Sequence, residues 1–180
     1  MSSQLYSTAI LSKDLDFKFT DLDNLQIDDF EENLKQFILA KIKSEVEEKC
    51  IEDGYVKKNS VKIVSLSCGL FQADKVKYTI TYECLICLPA EGMPIRCVTK
   101  SVSNGGIRAV IAGEEVSPIV AFIARETTDV DLSKYKEGDE FDAIVFGVQY
   151  ELNDTFISVL AIIAKPVSYT HLTLPTNREV

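Results

Sequence analysis

The sequence lacks most of the residues on which enzyme active sites are built. Tryptophan is absent, and histidine, the commonest general base, occurs once, at His171. The chain has no glycine-rich phosphate loop, no serine in a nucleophile elbow and no carboxylate cluster in a metal-binding pattern. The sequence therefore predicts a protein with no catalytic residues, no metal ligands and no cofactor of its own.

Long apolar runs and a secretory signal are also missing. The longest apolar stretch, residues 156–164, is far too short to cross a bilayer. Residues 1–6 lack the basic region followed by an apolar one that marks a signal peptide. The cysteines number 5 and have no disulfide-scaffold spacing, which suits a reducing compartment. We therefore expect an intracellular protein that does not bind membranes.

Positive charge is scarce. Lysine and arginine number 19 against 28 aspartates and glutamates, so the formal net charge is −9. Such a chain does not bind nucleic acid by bulk electrostatics, because neutralising phosphates needs a surplus of cations. A local basic and aromatic face on one domain remains compatible with this composition, as does docking on a more basic partner.

The Cys84 and Cys87 pair forms a CxxC motif, which raises the possibility of zinc. Positions i and i+3 of a strand point to opposite faces, and a structural zinc site needs four converging ligands. We therefore expect buried structural cysteines, with zinc as the weaker alternative. The aspartates at positions 21, 23, 28 and 29 lack the glycine and terminal glutamate of a calcium loop, and we interpret them as a solvated loop and a helix cap.

The sequence pattern of residues 1–88 predicts the element order strand, helix, strand, strand. Residues 5–11 form the first expected strand, and residues 13–28 are expected to form a loop with one short extended piece around Phe17 and Phe19. Asp29 and Glu32 predict a capping-box start for the helix, and Gly54 its end. Apolar residues recur at helical spacing at Phe30, Leu34, Phe37, Ile38, Ile42 and Val46. Strands are predicted at residues 61–66 and, with clear period-2 alternation, at 76–87, separated by a turn or tip at 68–74.

The second half predicts a small barrel. Residues 89–94 break the pattern and mark the expected domain boundary. Strand-like runs follow at residues 95–102, 106–112, 118–124, 139–150 and 156–164. Asn104, Gly105 and Gly106 predict a hairpin with a primed turn, residues 152–154 a second tight turn, and residues 127–138 a looser acidic connection. Five strands with a longer link before the fourth are the OB-fold layout, so the predicted fold class is α+β with an OB-fold barrel at residues 89–166.

The last residues read as a non-natural tail. Residues 167–176 resemble one reading frame through the transposon-end adapter used in sequencing libraries, so we expect 167–180 to be adapter-derived. On this interpretation the natural gene is cut off near Lys165 or Pro166. His171 then belongs to the tail.

An ordered set of local strings carries a family resemblance. Residues 48–56 look like a helix exit and glycine turn, Cys68 to Phe71 like a tip loop, 78–88 like a long strand entering a barrel, and 91–92 with 95–111 like a first barrel hairpin. Together they resemble the stalk subunit of multisubunit DNA-directed RNA polymerases, the family of the seventh-largest subunit of RNA polymerase II and its archaeal counterpart. Residues 89–93, 122–125 and 151–154 resemble the versions carried by large DNA viruses of eukaryotes in particular.

The resemblance implies a non-catalytic polymerase subunit acting in transcription, including its initiation. Such a subunit docks on the polymerase core subunits and contacts emerging single-stranded RNA. Cellular relatives also pair with a small helical companion subunit. For a viral version, the resemblance implies a location in the viral factory, the virion or the nucleus.

Two sets of site residues follow. RNA contact needs cations beside flat side chains, normally on the second and third strands of an OB-fold barrel. The candidates are Lys100, Arg108, Phe122, Arg125 and Tyr150. Phe122 could instead be a core residue, and nearby acidic residues predict weak, salt-sensitive binding. For docking on the polymerase, the candidates are Gly69, Leu70 and Phe71, as an exposed anchor or a folded-back cap.

Two other functions stay open at this point. One is a free-standing OB-fold protein that binds RNA or acts in translation, which would need a basic barrel surface. The other is a protein-binding adaptor whose barrel has lost contact with RNA.

Overall fold

The computed structural model describes residues 5–22, 29–128 and 130–164. The predicted adapter-derived tail lies outside these residues. The first half contains β1 (Ser7–Lys18), α1 (Phe19–Leu22), α2 (Phe30–Val46), β2 (Cys50–Ile51), β3 (Gly54–Val56), β4 (Lys62–Leu66), β5 (Leu70–Gln72) and β6 (Lys75–Cys87). The second half contains β7 (Pro94–Ser103), β8 (Gly106–Ile111), β9 (Ile119–Ala124), β10 (Glu140–Gln149) and β11 (Ile157–Ile163), with 3-10 helices at Arg125–Thr127 and Leu132–Lys134.

Strand β6 is the centre of a six-stranded N-terminal sheet. It pairs antiparallel with β1, β3, β4 and β5. The predicted alternation is confirmed, because its residues at 76, 78, 80, 82, 84 and 86 are all buried. These side chains pack in one core cluster with the buried residues of α2. The predicted order of strand, helix, strand, strand was too simple, because the sheet also contains β2, β3 and β5, and the short α1 lies between β1 and α2.

The prediction of a loop from residue 13 was wrong for residues 13–18, apart from the extended piece that was expected around Phe17. These residues continue β1, which pairs with β6 over all 12 of its residues. Leu15 and Phe17 are buried, while Asp14 is exposed on the other face of the sheet. There the Asp14 carboxylate pairs with the Lys77 ammonium at 2.7 Å and accepts a 2.7 Å hydrogen bond from the Thr79 hydroxyl. An acidic pattern that resembles a loop is therefore the solvent side of a strand.

Helix α2 follows the predicted apolar stripe and begins after Asp29 as predicted, but the predicted capping box and the predicted end at Gly54 were wrong. Leu34, Ile38, Ile42 and Val46 are its buried residues. The Asp29 backbone is left-handed, with φ 62°, and its side chain caps no N–H group, so the capping box is not formed. At the other end the helix stops at Val46, well before Gly54.

Gly54 has a different role, at the start of β3. Its φ is +124°, and a Cβ there would lie 2.6 Å from the Cys87 carbonyl oxygen. Only glycine combines this backbone conformation with such a close approach. Gly54 thus lets the β2–β3 hairpin pack directly against the end of β6.

The second half is a closed five-stranded barrel in the order β10-β11-β9-β8-β7. Strand β11 pairs parallel with β9, and the other pairs are antiparallel. The observed strands lie within the predicted runs or extend one residue beyond them, so the prediction of an OB-like barrel is confirmed. The connection between β9 and β10 contains both 3-10 helices, and its Leu132 is buried in the barrel core.

The predicted β7–β8 hairpin is present, with Asn104 and Gly105 as its turn, but the primed turn was wrong. Of the three residues that carried the prediction, Asn104 and Gly105 lack a positive φ and only Gly106 has one, at +149°. A Cβ on Gly106 would lie 2.1 Å from the Ile123 carbonyl oxygen. The glycine is needed where β8 starts against β9, rather than inside the turn.

The two sheets share one core cluster where they meet. Cys50, Tyr55 and Cys87 belong to the N-terminal sheet, yet they pack in the same buried cluster as the interior of the barrel. The Cys50 N–H donates to the Asp154 carbonyl at 2.7 Å, and the Asn153 N–H donates to the Cys50 carbonyl at 2.8 Å. Strand β6 ends at Cys87 and β7 begins at Pro94, in different sheets. The division into two domains at residues 89–94 stays a prediction.

Candidate functional site

The tip of the N-terminal sheet exposes two large apolar side chains. Leu70 is 62% exposed and Phe71 is 77% exposed. The sequence predicted a turn over residues 68–74, whereas Leu70–Gln72 form β5 and the chain turns at Ala73 and Asp74 before β6. Both side chains are therefore held on a hairpin rather than on an irregular loop.

Phe19 is a member of this surface that the sequence analysis missed. Its ring stacks on that of Phe71, with centroids 6.0 Å apart and planes at 17°. Phe19 is 38% exposed and begins α1 at the end of β1. A signal was present in the sequence, because Phe19 follows the buried Phe17 in the same period-2 pattern. We call Phe19, Leu70 and Phe71 the tip surface.

Gly69 is explained by packing inside the sheet. A Cβ at this position would lie 2.7 Å from Val76 Cγ1 and 3.0 Å from the Tyr78 ring. The absence of a side chain lets the connection between β4 and β5 lie directly over β6. A role for Gly69 in docking stays a prediction.

Three of the five predicted RNA-binding residues lie in one row across the barrel exterior. Arg108 on β8 is paired with Phe122 on β9 and with Ser101 on β7. Lys100 is the extra residue of a β-bulge between Thr99 and Ser101, and thus lies beside Arg108. Phe122 is 38% exposed and faces outward, so it is not part of the barrel core.

The cations of this row are available to a ligand. Neither Lys100 nor Arg108 forms a salt bridge with another residue in the part of the chain that the structure describes. Both are exposed, on neighbouring strands. In proteins that bind single-stranded nucleic acid, cations contact the phosphates and exposed aromatic rings stack on the bases. The row offers both kinds of group.

The other two predicted residues lie elsewhere. Arg125 follows β9, is exposed, and its backbone N–H donates to the Gly105 carbonyl at 3.0 Å, which places it beside the β7–β8 turn. Tyr150 is half-buried against the barrel core, and its hydroxyl donates to the Glu52 carbonyl at 3.0 Å. Tyr150 thus joins the barrel to the N-terminal sheet, and burial raises the pKa of its phenol.

The CxxC cysteines face two different cores. Cys84 is buried in the core between α2 and β6, whereas Cys87 is buried in the barrel cluster. Desolvation raises the pKa of Cys84 to about 11 and that of Cys87 to about 12. The two thiols therefore do not converge on one ion. Residues 5–22, 29–128 and 130–164 also hold no group of three or more potential ligands from histidine, cysteine, aspartate and glutamate.

Among the described residues, no helix has the length and apolar character needed to span a membrane.

Comparison with known proteins gives a match to a viral polymerase protein. The chain is 22% identical over 147 residues to a protein of Acanthamoeba polyphaga mimivirus that is named as a candidate DNA-directed RNA polymerase subunit, L376. The match covers 72% of this chain and 71% of the viral protein. No protein-family model matches the chain.

Proposed function

We propose that this chain is a non-catalytic, stalk-type subunit of a DNA-directed RNA polymerase. It docks on the core enzyme through the tip surface and contacts emerging RNA with the outside of its barrel. The observation that carries the proposal is the similarity to the viral polymerase subunit over 72% of the chain, which supports a polymerase subunit in general. The narrower proposal of a stalk role rests on the sequence resemblance described above. The OB-like barrel is compatible with that role.

Docking through the tip surface is supported by its exposure and its position. Phe71 is the most exposed large apolar residue in the described part of the chain, and its ring already rests on Phe19. Burying one such side chain contributes roughly 1.5–3 kcal/mol, and aromatic residues are frequent binding hot spots. Two apolar side chains at the end of a hairpin can enter a pocket that a flat sheet face cannot reach.

RNA contact through the barrel is supported by the row of Lys100, Arg108 and Phe122. The two cations can contact phosphates, and the exposed ring can stack on a base. The net charge of −9 opposes the approach of a polyanion, so we expect weak binding that falls steeply with salt. This combination suits a subunit that meets RNA only when the polymerase delivers it.

The same proposal covers partners and location. A polymerase stalk subunit of a large DNA virus would act inside the infected cell, in the viral factory, the nucleus or the virion. A small helical companion subunit stays a prediction from the family resemblance.

Co-purification with the large polymerase subunits of the same genome tests the proposal. We expect the wild-type chain to co-purify and Phe71→Asp to reduce recovery about ten-fold or more, because a carboxylate cannot be buried in an apolar pocket. Val64→Asp is the matched control, since Val64 is 57% exposed on β4 of the same sheet. Circular dichroism and urea unfolding verify that both variants fold.

Three outcomes separate the possibilities. Equal loss of recovery in both variants would show that the tip surface has no special role. A wild-type chain that ignores the polymerase subunits would contradict the proposal as a whole. If that chain also bound RNA with sub-micromolar affinity, it would be a free-standing RNA-binding protein.

A further inference from the structure

The row that contains Lys100, Arg108 and Phe122 does not end at Phe122. Phe122 is paired with Leu160 on β11, and Leu160 with Gly147 on β10. Phe146 is the extra residue of a bulge between Val145 and Gly147, so it lies beside Leu160. Leu160 is 47% exposed and Phe146 is 40% exposed. One band of exposed side chains therefore crosses all five strands of the barrel.

Both ends of this band are β-bulges. One bulge places Lys100 beside Arg108, and the other places Phe146 beside Leu160. Bulges re-aim side chains and are common next to functional sites. With strands about 4.8 Å apart, the four steps of the band follow a curved path of about 19 Å around the closed barrel.

Charge divides the band into two halves. Strands β9, β10 and β11 contain no lysine or arginine, so the cations lie only at the β7 and β8 end. Contacts to phosphates are thus confined to Lys100 and Arg108. The rest of the band consists of the rings of Phe122 and Phe146 and the aliphatic side chain of Leu160. These side chains suit contact with a flat uncharged group such as a base.

We infer that Phe146 is a second base-stacking platform for the single-stranded RNA that Lys100, Arg108 and Phe122 contact. This inference rests on the RNA contact in the proposed function and extends it across β11 to β10. The RNA crosses the strands, with its phosphates held at the cationic end and its bases on Phe122 and Phe146. Because stacking ignores base identity, contact at the Phe146 end is tolerant of sequence and nearly independent of salt.

Fluorescence anisotropy with an oligouridylate of about 12 nucleotides, within the usual site size of an OB fold, tests the inference at low salt. We expect Phe146→Ala and Phe146→Leu each to weaken binding about five-fold or more, because neither variant keeps a ring. Phe30→Ala is the matched control, since Phe30 is 42% exposed on α2, in the half of the chain outside the barrel. Urea unfolding of each variant verifies that the barrel is intact.

The salt dependence gives a second, independent readout. Lys100→Ala and Arg108→Ala should each reduce the slope of log affinity against log salt by about 0.7. Phe146→Ala should lower affinity and leave this slope unchanged.

The inference is overturned if Phe146→Ala binds RNA like wild type while Lys100→Ala weakens binding. The RNA contact in the proposed function would then stand without its extension to Phe146. Unchanged RNA affinity in Phe146→Ala, together with loss of polymerase co-purification in Phe146→Asp, would make the apolar half a protein-docking surface. If the wild-type chain co-purifies with polymerase but binds no oligouridylate, the RNA contact and its extension are both rejected and docking stands.

Discussion

The N-terminal sheet and the barrel solve the same packing problem in different ways. The sheet covers one face with α2 and leaves the other to solvent, and among the described strands β1 pairs with β6 alone. The barrel closes on itself, so every strand has two neighbours and the apolar interior is sealed. A ligand can thus approach the sheet at an end or an edge, whereas it can approach the barrel only from outside or at a rim. The candidate surfaces follow this difference, one at the sheet tip and one on the barrel exterior.

The strongest effect should come from Gly106→Ala, which tests whether the two halves unfold separately. We predict that it destabilises the chain by about 3 kcal/mol or more, because its Cβ would collide with the Ile123 carbonyl at an already unfavourable φ. The barrel cluster includes Cys50, Tyr55 and Cys87 of the sheet. We therefore expect a single cooperative unfolding transition in urea, measured by circular dichroism.

Gly105→Ala is the control for this prediction. A Cβ at Gly105 would meet only the Ser103 hydroxyl, at 3.9 Å, so the cost should be below about 1 kcal/mol. Two separated transitions in Gly106→Ala, with the sheet unaffected, would show that the shared core does not couple the halves.

A smaller effect is expected from Tyr150→Phe, which tests a single hydrogen bond at the junction of the two halves. The change removes the hydrogen bond from the Tyr150 hydroxyl to the Glu52 carbonyl and should cost about 0.5–1 kcal/mol in urea unfolding. It keeps the ring, and Tyr150 lies outside the exposed band, so oligouridylate affinity should stay unchanged. Weaker RNA binding with unchanged stability would instead support Tyr150 as an RNA-binding residue.

Lys57→Met should have the weakest effect of the three. Lys57 pairs with Glu114 at 3.6 Å across the junction and lies 4.3 Å from the Tyr6 ring centroid. Both charged side chains are partly exposed, so solvent screening limits the loss to about 0.5 kcal/mol or less. The difference from wild type should shrink further at salt concentrations of about 1 M. A loss larger than that of Tyr150→Phe would mean that charge, rather than the shared core, holds the halves together.

Local sequence patterns predicted much of the barrel and of the long strand β6. Their alternation is visible within each segment, because a half-buried strand places every second side chain in the core. The same patterns misread β1 after Leu11, since aspartate and lysine dominate its outer face and Lys77 and Thr79, which bind Asp14, are far away in sequence. The start of α2 was placed correctly, but its capping box was misread for a related reason, because the left-handed Asp29 backbone is not encoded in a capping motif.

The candidate sites divide in the same way. The order of residue types along the chain was enough to show which side chains are apolar, cationic or flat, and it singled out Leu70, Phe71, Lys100, Arg108 and Phe122. The folded chain was needed to show that Phe19 joins the tip, that Tyr150 belongs to the junction, and that Leu160 and Phe146 extend the row. The physical reason is that residue type and period are local properties, whereas register and bulges arise from hydrogen bonds between strands that lie far apart in the chain.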